Sequence, residues 1–401
     1  MVHITNRTAF PHLRFSNSDN AGKVFGVILV KVAFDVQEDG TCVVAPEQEP
    51  FNFTDACHGA VNETSLRHPS DLVAYKPATD IIVDAIAHAP EGKPSPRWQA
   101  GLRVRDVAGA GIEKVVTVTG PRQWLPHWKR QLREAETAEW QKHIKWFDRW
   151  ALSEPELISS LPMQWEYAYG GQLAKGMDEQ GKPIVEAFEY NPLGRGWIDK
   201  TWTDHTRSVP APQIEVPNLP VTEAGSHYPP ANLGPVPAHW LPRRKLGGTY
   251  DQNWLDNIRP KWPPDYDFAF NNSAPEDMRS DRFLQGPLHI ELINLRKGQS
   301  QFALRLDPVT LTMAVQSGND VDLYRPPLDT LFLEIAEEDL FDCRVSLCWR
   351  LPYRMDMTDA ITIAEVDHSD SNSLRALEEN LKPAPTPTDC AAHSKILEMS
   401  S

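Results

Sequence analysis

The chain has 401 residues, 41% of them hydrophobic and 24% charged, which is an ordinary composition for a globular protein. Its formal net charge of −15 at pH 7 argues against a nucleic-acid partner, since affinity for phosphate backbones comes mainly from lysine and arginine. The same charge would complement a basic partner. The five cysteines contain no CxxC pair, which favours a reducing compartment over a disulfide framework or a zinc site.

Neither a leader nor a membrane segment is predicted. Residues 1–15 lack the basic start and the apolar run of a signal peptide. The longest apolar stretch, residues 24–36, is interrupted by Lys31 and is too short to span a bilayer. We therefore expect a cytoplasmic protein with no membrane partner.

Strand patterns recur along the chain. Residues 24–36 predict a long strand, and a turn at Gly40 leads into a second strand at 41–45. Further strands are predicted at 71–90, 97–107, 112–120, 286–295, 301–308, 310–316, 330–341 and 343–353. The spacing of Cys343 and Cys348 places them on opposite faces of the last strand, as buried apolar residues. This recurrence of short strands predicts an antiparallel sandwich or barrel.

One segment, at about 130–150, predicts an amphipathic helix instead. The residues that share its apolar face at helical spacing are Trp140, Ile144, Phe147 and Ala151. Its aromatic residues either pack on the sheet, the more common outcome, or form an exposed stripe that grips a partner.

Prolines crowd the region from about 155 to 280, where they disfavour long helices and central strands. Tryptophan, tyrosine, leucine and isoleucine are interspersed there, so we predict long ordered loops over the sheet. After residue 367 the chain becomes a polar tail with one short helix. The predicted fold class is therefore mainly β, with Pro/Trp-rich loops and one or two helices.

No strong catalytic signature is present: HExxH, GxSxG, a P-loop and GxGxxG after a strand are all missing. The 13 histidines contain no metal-spaced pair, although His58 and His68 can still converge in space. We therefore predict no catalytic residue, no metal and no cofactor.

The acidic pair Asp265 and Asp267 is consistent with two roles, one catalytic and one structural. In an extended segment they share a face, so they could act as general acid and base or hold a cation. Alternatively, they satisfy loop amides and pair with nearby arginines. The structural role is favoured because nothing nearby supplies a nucleophile or a metal set.

A series of loop motifs carries a family resemblance. In chain order they are KPATDIIVDAIAHAP (76–90), VTVTGPRQW (116–124), LPMQWEYAYGG (161–171), EYNPLGRGW (189–197), IEVPNLP (214–220) and the long block at 230–277. The series resembles a domain of unknown function encoded beside type VI secretion genes in Gram-negative bacteria. The block PxxxxW–xxR–GTYDxxW–P–PxDfd–NxAPxD is its specific part. Two departures are Pro121, where the family often has an acidic residue, and Tyr169, where phenylalanine is usual.

The resemblance implies a non-catalytic cytoplasmic adaptor or chaperone. Such a protein would bind a type VI effector and help load it onto the spike trimer or tip protein. Because Trp, Tyr and Arg most often anchor interfaces, we expect the signature block to supply the anchors. The candidate binding or signature-loop residues are Trp240, Arg243, Arg244, Tyr250, Asp251, Trp254, Trp262, Asp265 and Asp267.

The resemblance also sets the expected domains: an adaptor-like β domain at 1–310, further strands at 311–366, and the tail at 367–401. Two other functions stay open. One is a hydrolase or carbohydrate-active protein that uses Asp265 and Asp267 on a β-scaffold, since tryptophan-rich loops also stack sugars. The other is a structural component of the secretion machine.

Overall fold

The computed structural model describes residues 2–19, 21–126, 150–199, 207–307, 309–336, 343–366 and 369–381. The fold is mainly β, as predicted, and its largest sheet curls into a half-barrel. Most of the predicted helix lies outside the described residues. The far end of that prediction is wrong, because Trp150 and Ala151 lie in a strand that pairs with residues 124–126.

Eleven strands follow one another across the main sheet, among the described residues. Their order is β12 (Ser160–Pro162), β7 (Thr79–His88), β24 (Leu328–Ile335), β25 (Arg344–Tyr353), β3 (Val24–Val36), β4 (Thr41–Val44), β21 (Gln299–Leu306), β20 (Leu288–Arg296), β8 (Arg97–Asp106), β9 (Gly111–Thr119) and β18 (Ile214–Glu215). Two further strands, β2 (His12–Ser18) and β19 (Arg279–Ser280), pair with β3 and β7. The pairs β7–β24 and β4–β21 are parallel, and the others are antiparallel.

A second, four-stranded sheet pairs the first described strand with the last described strand. Its order is β1 (His3–Asn6), β26 (Ala360–Glu365), β22 (Leu311–Ser317) and β23 (Asp320–Tyr324). The region after 310 therefore contributes to both sheets, because β24 and β25 lie in the middle of the main sheet.

Smaller pieces complete the described fold. The short strands are β5 (Ala56–Cys57), β6 (Leu66–His68), β10 (Gln123–Pro126), β11 (Trp150–Leu152), β13 (Tyr169–Gly170), β14 (Gln172–Met177), β15 (Pro183–Ala187), β16 (Arg195–Gly196) and β17 (Val209–Pro210). The α-helices are α1 (Arg243–Leu246), α2 (Gln252–Asn257) and α3 (Ser371–Leu381). Single 3₁₀ turns occupy Pro90–Gly92, Trp165–Tyr167, Phe268–Asn271 and Glu276–Met278.

Strand β3 shows how the sheet is buried on both faces. Val30, Val32 and Phe34 belong to the main apolar core. Lys31 points to the opposite face, where it lies across from Cys348 and is only 6% exposed. The Lys31 ammonium donates to the Pro50 carbonyl at 3.1 Å and pairs with Asp71 at 3.5 Å. A buried charge in a central strand is thus satisfied by the segment that covers it.

The proline-rich region is ordered, as predicted, and shares an aromatic cluster with β10 and β11. The buried rings of this cluster are Trp124, Trp150, Tyr169, Trp197 and Tyr228. The Tyr169 hydroxyl donates to the Ser226 carbonyl at 2.7 Å, and burial holds the pKa of Tyr169 above its usual value. This cluster is separate from the main core and fixes the loops against it.

Candidate partner-binding surface

The signature block begins with two buried side chains in and beside α1. Trp240 is 2% exposed and meets the Trp165 ring at 5.9 Å. Arg243 donates to the Phe270 carbonyl at 2.8 Å and to the Val236 carbonyl at 2.7 Å. Burial lowers the pKa of Arg243. Both residues hold the block in place from inside the fold.

Arg244, the next residue, lies on the outside. Its guanidinium donates to a Glu189 carboxylate oxygen at 2.6 Å, and the side chains of both residues are more than half exposed. Glu189 begins the motif at 189–197, so this exposed pair joins two segments of the resemblance. An exposed pair of this kind contributes little to stability.

Three acids of the block, Asp251, Asp265 and Asp267, bind the backbone of their own loop. Asp251 caps α2 by accepting from the Trp254 amide at 2.8 Å. Asp267 caps the turn at Phe268–Asn271 by accepting from the Ala269 amide at 2.8 Å. These contacts are the predicted bonds to loop amides. The predicted pairing of these acids with Arg243 and Arg244 is wrong, because both arginines donate to other partners.

Asp265 closes a turn with Thr249. It accepts from the Thr249 amide at 3.0 Å and from the Thr249 hydroxyl at 2.7 Å. The amide bond and then the hydroxyl bond hold the pKa of Asp265 below its usual range. Gly248 permits this turn, because its φ is +85° and a Cβ there would lie 2.8 Å from Pro263.

Beyond these caps the block presents an apolar tip, which we define as Tyr250, Trp254 and Leu255. Tyr250 is 58% exposed and Leu255 is 47% exposed. The rings of Tyr250 and Trp254 meet edge to face at 4.7 Å, and the Trp254 indole donates to the Lys261 carbonyl at 2.9 Å. The tip is therefore held in one arrangement while its apolar surface faces solvent.

Below the tip, aromatic rings packed against one another at tilted and edge-to-face angles form a base. Trp262 meets Tyr266 at 4.4 Å, and Tyr266 meets Phe270 at 5.8 Å. The Tyr266 hydroxyl donates to Asn271 at 3.0 Å, and burial raises the pKa of Tyr266 to about 12. Trp262 is half-buried in this base, so it supports the tip more than it extends it.

A buried ion pair anchors the end of the block to the main sheet. Asp80 in β7 is 0% exposed and accepts from the Lys76 ammonium at 2.9 Å. It also accepts from Asn272 at 2.8 Å and from the Ser273 amide at 2.8 Å. The Lys76 ammonium reaches the Thr330 hydroxyl in β24 at 2.8 Å. One carboxylate thus connects the block with two neighbouring strands.

The surroundings of Asp80 favour its charged form despite its burial. Burial alone would raise the pKa of Asp80, but Lys76, Asn272 and the Ser273 amide together hold that pKa below its ordinary value. Sequence reasoning did not single out Lys76 or Asp80. The sequence signal for this contact was position: Lys76 and Asp80 lie at the start of the first motif of the resemblance. Asn272 and Ser273 lie in its last motif.

Other motifs of the series also bind one another. Arg122 donates to buried Glu215 at 2.5 Å, which joins the motifs at 116–124 and 214–220. Buried Asn191 donates to the Trp165 carbonyl at 2.9 Å and to the Tyr169 carbonyl at 3.1 Å. The motifs that carry the resemblance are thus joined to one another largely by buried hydrogen bonds.

The two histidines considered from sequence lie beside different carboxylates. His68 is 3.2 Å from Glu334, and His58 is 3.8 Å from Asp84. Within the described ranges, no three His, Cys, Asp or Glu side chains are grouped so as to hold a metal ion. None of the four described cysteines forms a disulfide bond, and Cys343 and Cys348 are buried as predicted.

Comparison with known proteins gives one match. A family described as an uncharacterized protein conserved in bacteria matches residues 21–350. The match crosses residue 310 and takes in β24 and most of β25. No curated protein and no solved structure matches the chain. In the part of the chain that is described, no helix has the length and apolar character needed to cross a membrane.

Proposed function

Because the chain belongs to the uncharacterized bacterial family DUF2169, whose description assigns no activity, we propose from its geometry that it is a non-catalytic adaptor. The tip of Tyr250, Trp254 and Leu255 would bind a partner protein. The observation that carries this proposal is an exposed apolar tip on a loop in which Asp251, Asp265 and Asp267 accept hydrogen bonds from backbone amides. Tryptophan and tyrosine are the residues most enriched among interface hot spots.

The base of the block supports binding of this kind. Binding loses affinity when a loop must be ordered at the interface, and a loop fixed beforehand avoids that cost. Here the loop is fixed by the hydrogen bonds of Asp251 and Asp265, by the packed aromatic rings of the base and by the Asp80 anchor. The tip would therefore meet its partner already in its bound shape.

We propose a type VI secretion effector as the partner, with the spike trimer or tip protein as the destination and the cytoplasm as the place of binding. The resemblance of the signature block supports this choice. Binding to the competent state of the effector would stabilise that state by mass action. No chemistry by the adaptor itself is needed.

A hydrolase built on Asp265 and Asp267 is less well supported. A general acid works best with a pKa raised towards the operating pH, whereas the pKa of Asp265 is lowered. Both carboxylates already accept bonds from loop amides. A substrate would have to break those caps before either group could act.

Co-purification with candidate type VI effectors from the same bacterium tests the proposal. We expect Tyr250→Ala combined with Leu255→Ala to weaken binding by about tenfold or more, as for other hot-spot truncations. Val61→Ala is the matched control, since Val61 is 70% exposed on another loop. Both proteins should unfold at the wild-type temperature, because the altered side chains are exposed.

Three results would count against this function. If the wild-type chain binds neither the effector nor the spike proteins, the adaptor role fails. If the double variant binds as well as the wild type, the tip is not the interface. If the chain co-purifies with the assembled spike but never with free effector, a structural component is the better description.

A further inference from the structure

A pocket separate from the signature block lies between residues 283–286 and residues 325–328. We call it the arginine pocket, after the exposed Arg325 in its lining. Its volume is about 150 Å³. An engineered apolar cavity of about 150 Å³ in another protein accepts a benzene molecule, so the arginine pocket has room for a body of that size.

Hydrogen bonds to strands of the main sheet hold both walls of the pocket in place. The Thr79 hydroxyl accepts from the Leu284 amide at 3.1 Å and donates to the Leu328 carbonyl at 2.6 Å. The Gln285 amide donates to the Asp106 carboxylate at 3.1 Å. Thr79 begins β7 and Asp106 ends β8, so the walls are tied to the sheet without any ligand. A site that is fixed beforehand avoids the cost of ordering on binding.

The buried part of the lining is apolar. Leu284, Leu311 and Leu328 are 1%, 2% and 4% exposed, and Trp349 is 5% exposed. Leu311 begins β22 of the small sheet, whereas Leu328 and Trp349 lie opposite each other in β24 and β25 of the main sheet. An apolar group that enters the pocket therefore leaves water for contact with buried side chains, which favours binding.

The polar side chains of the lining leave donors unused. The Arg325 guanidinium donates to the Gln285 amide oxygen at 3.3 Å, and among the described residues it forms no ion pair. Thr310 and Trp349 also line the pocket, and their side-chain donors have no partner in the described part of the chain. Of the described lining residues, Arg325 alone is charged. The pocket therefore presents positive charge, and no negative charge, to a ligand.

The carboxylates attached to the pocket walls have other partners. Asp106, which holds Gln285, also accepts from two amides of the turn that follows β8. Asp329 pairs with Arg350 in β25. A chain with a net charge of −15 thus leaves Arg325 without a carboxylate partner among its described residues. An external carboxylate can take that place without displacing one of the protein's own.

We propose that the arginine pocket binds a small monocarboxylate whose apolar body is about the size of a benzene ring. The planar guanidinium of Arg325 matches the two oxygens of a carboxylate, and the buried leucines and Trp349 contact the apolar body. Inorganic phosphate is a poorer match, because it brings no apolar surface to the leucines. This goes beyond the function proposed for the tip, because it assigns a second site and a ligand of a different kind.

Fluorine NMR with para-fluorobenzoate tests the proposal on the full chain. We expect a saturable change of the fluorine signal, and unlabelled benzoate should displace the probe. The amide para-fluorobenzamide keeps the ring but lacks the charge, and acetate keeps the charge but lacks the ring. We expect each to bind at least about tenfold more weakly than the probe, because one loses charge-assisted bonds and the other loses buried apolar area.

Variants on the protein side locate the site. Arg325→Gln removes the charge of an exposed side chain, and we expect it to weaken probe binding about tenfold or more. Thr310→Leu places a larger apolar side chain in the lining, and we expect a similar loss of about tenfold because the pocket is narrowed. Arg244→Gln removes a charge from the exposed pair in the signature block and should bind like the wild type. The combined Tyr250→Ala and Leu255→Ala variant should also bind the probe normally, which separates this test from that of the tip.

Four outcomes overturn the proposal. In the first, the probe does not bind the wild-type chain at millimolar concentration. In the second, para-fluorobenzamide binds as well as para-fluorobenzoate, so the charge is not recognised. In the third, inorganic phosphate displaces the probe more strongly than benzoate does, which assigns the pocket to a phosphate group. In the fourth, Arg325→Gln and Thr310→Leu unfold at the wild-type temperature and bind the probe like the wild type, which places the probe elsewhere.

Discussion

The inner side and the tip of the signature block reverse the usual distribution of polar and apolar groups. On the inner side, Arg243 of the block and Asp80 of β7, which anchors the block, are buried and hydrogen-bonded. At the tip, Tyr250 and Leu255 face solvent. Buried charges are tolerated only when paired, and exposed apolar groups mark interaction sites when they cluster. The contrast indicates that the buried polar residues hold the block in place. The exposed apolar residues of the tip are the ones available to contact a partner.

The largest expected effect comes from removing the anchor. Asp80→Ala leaves the Lys76 ammonium buried without its carboxylate, so we expect a loss of about 3–5 kcal/mol in the free energy of unfolding. Urea denaturation measures it. Combining Asp80→Ala with Lys76→Met should recover part of the loss, because an apolar replacement removes the unpaired charge. A double variant no more stable than the single variant would refute the ion pair as the cause.

A smaller effect is expected at Arg243. Arg243→Ala removes two charge-assisted bonds and leaves the Phe270 and Val236 carbonyls without them, so we expect a loss of about 2–3 kcal/mol. Arg244→Ala is the matched control: it removes an exposed pair with Glu189 and should cost no more than about 1 kcal/mol. Equal losses in the two variants would contradict the distinction between buried and exposed arginine.

The smallest effect is expected at Asp265 and is local. Its folded pKa lies below the ordinary value, so its contribution is complete above the ordinary pKa of about 4 and is lost as the pH falls through the lowered folded pKa. We expect the Thr249 amide to lose protection from hydrogen exchange in that acidic window. Asp265→Asn should remove this pH dependence. An unchanged pH profile in the variant would show that another group controls the turn.

Much of the fold could be predicted because strand patterns are local. Residues 24–36 form a strand with the predicted bounds, and the hairpin 97–107 with 112–120 is observed as β8 and β9. The strand predicted at 71–90 begins only at Thr79, after Pro77, which cannot donate to a ladder. Strand β2 was missed because its sequence, HLRFSNS, is mostly polar. Strand β23 was missed because DVDLY is only five residues long, although it alternates polar and apolar residues.

The candidate site was predictable in part. The sequence indicated that Asp265 and Asp267 satisfy loop amides, and both of them do. It could not show that Trp240 and Arg243 are buried, since aromatic and arginine side chains anchor interiors and interfaces alike. It also could not pair Asp80 with Asn272, because nothing local records a contact between residues so far apart in sequence.

The pairing of β3 with β25 has a consequence for biosynthesis. The apolar strand β3 pairs with residues 344–353, which lie far from it in sequence, and Lys31 is opposite Cys348. Such a non-local pairing is slow to form, and a nascent chain carries the unpaired edge of β3 until β25 has been synthesised. A chain released early from the ribosome, for instance after residue 310, would lack β24 and β25 and would expose the apolar residues of an incomplete sheet. Its yield in the cell should therefore depend on chaperones that protect the chain before the last strands arrive.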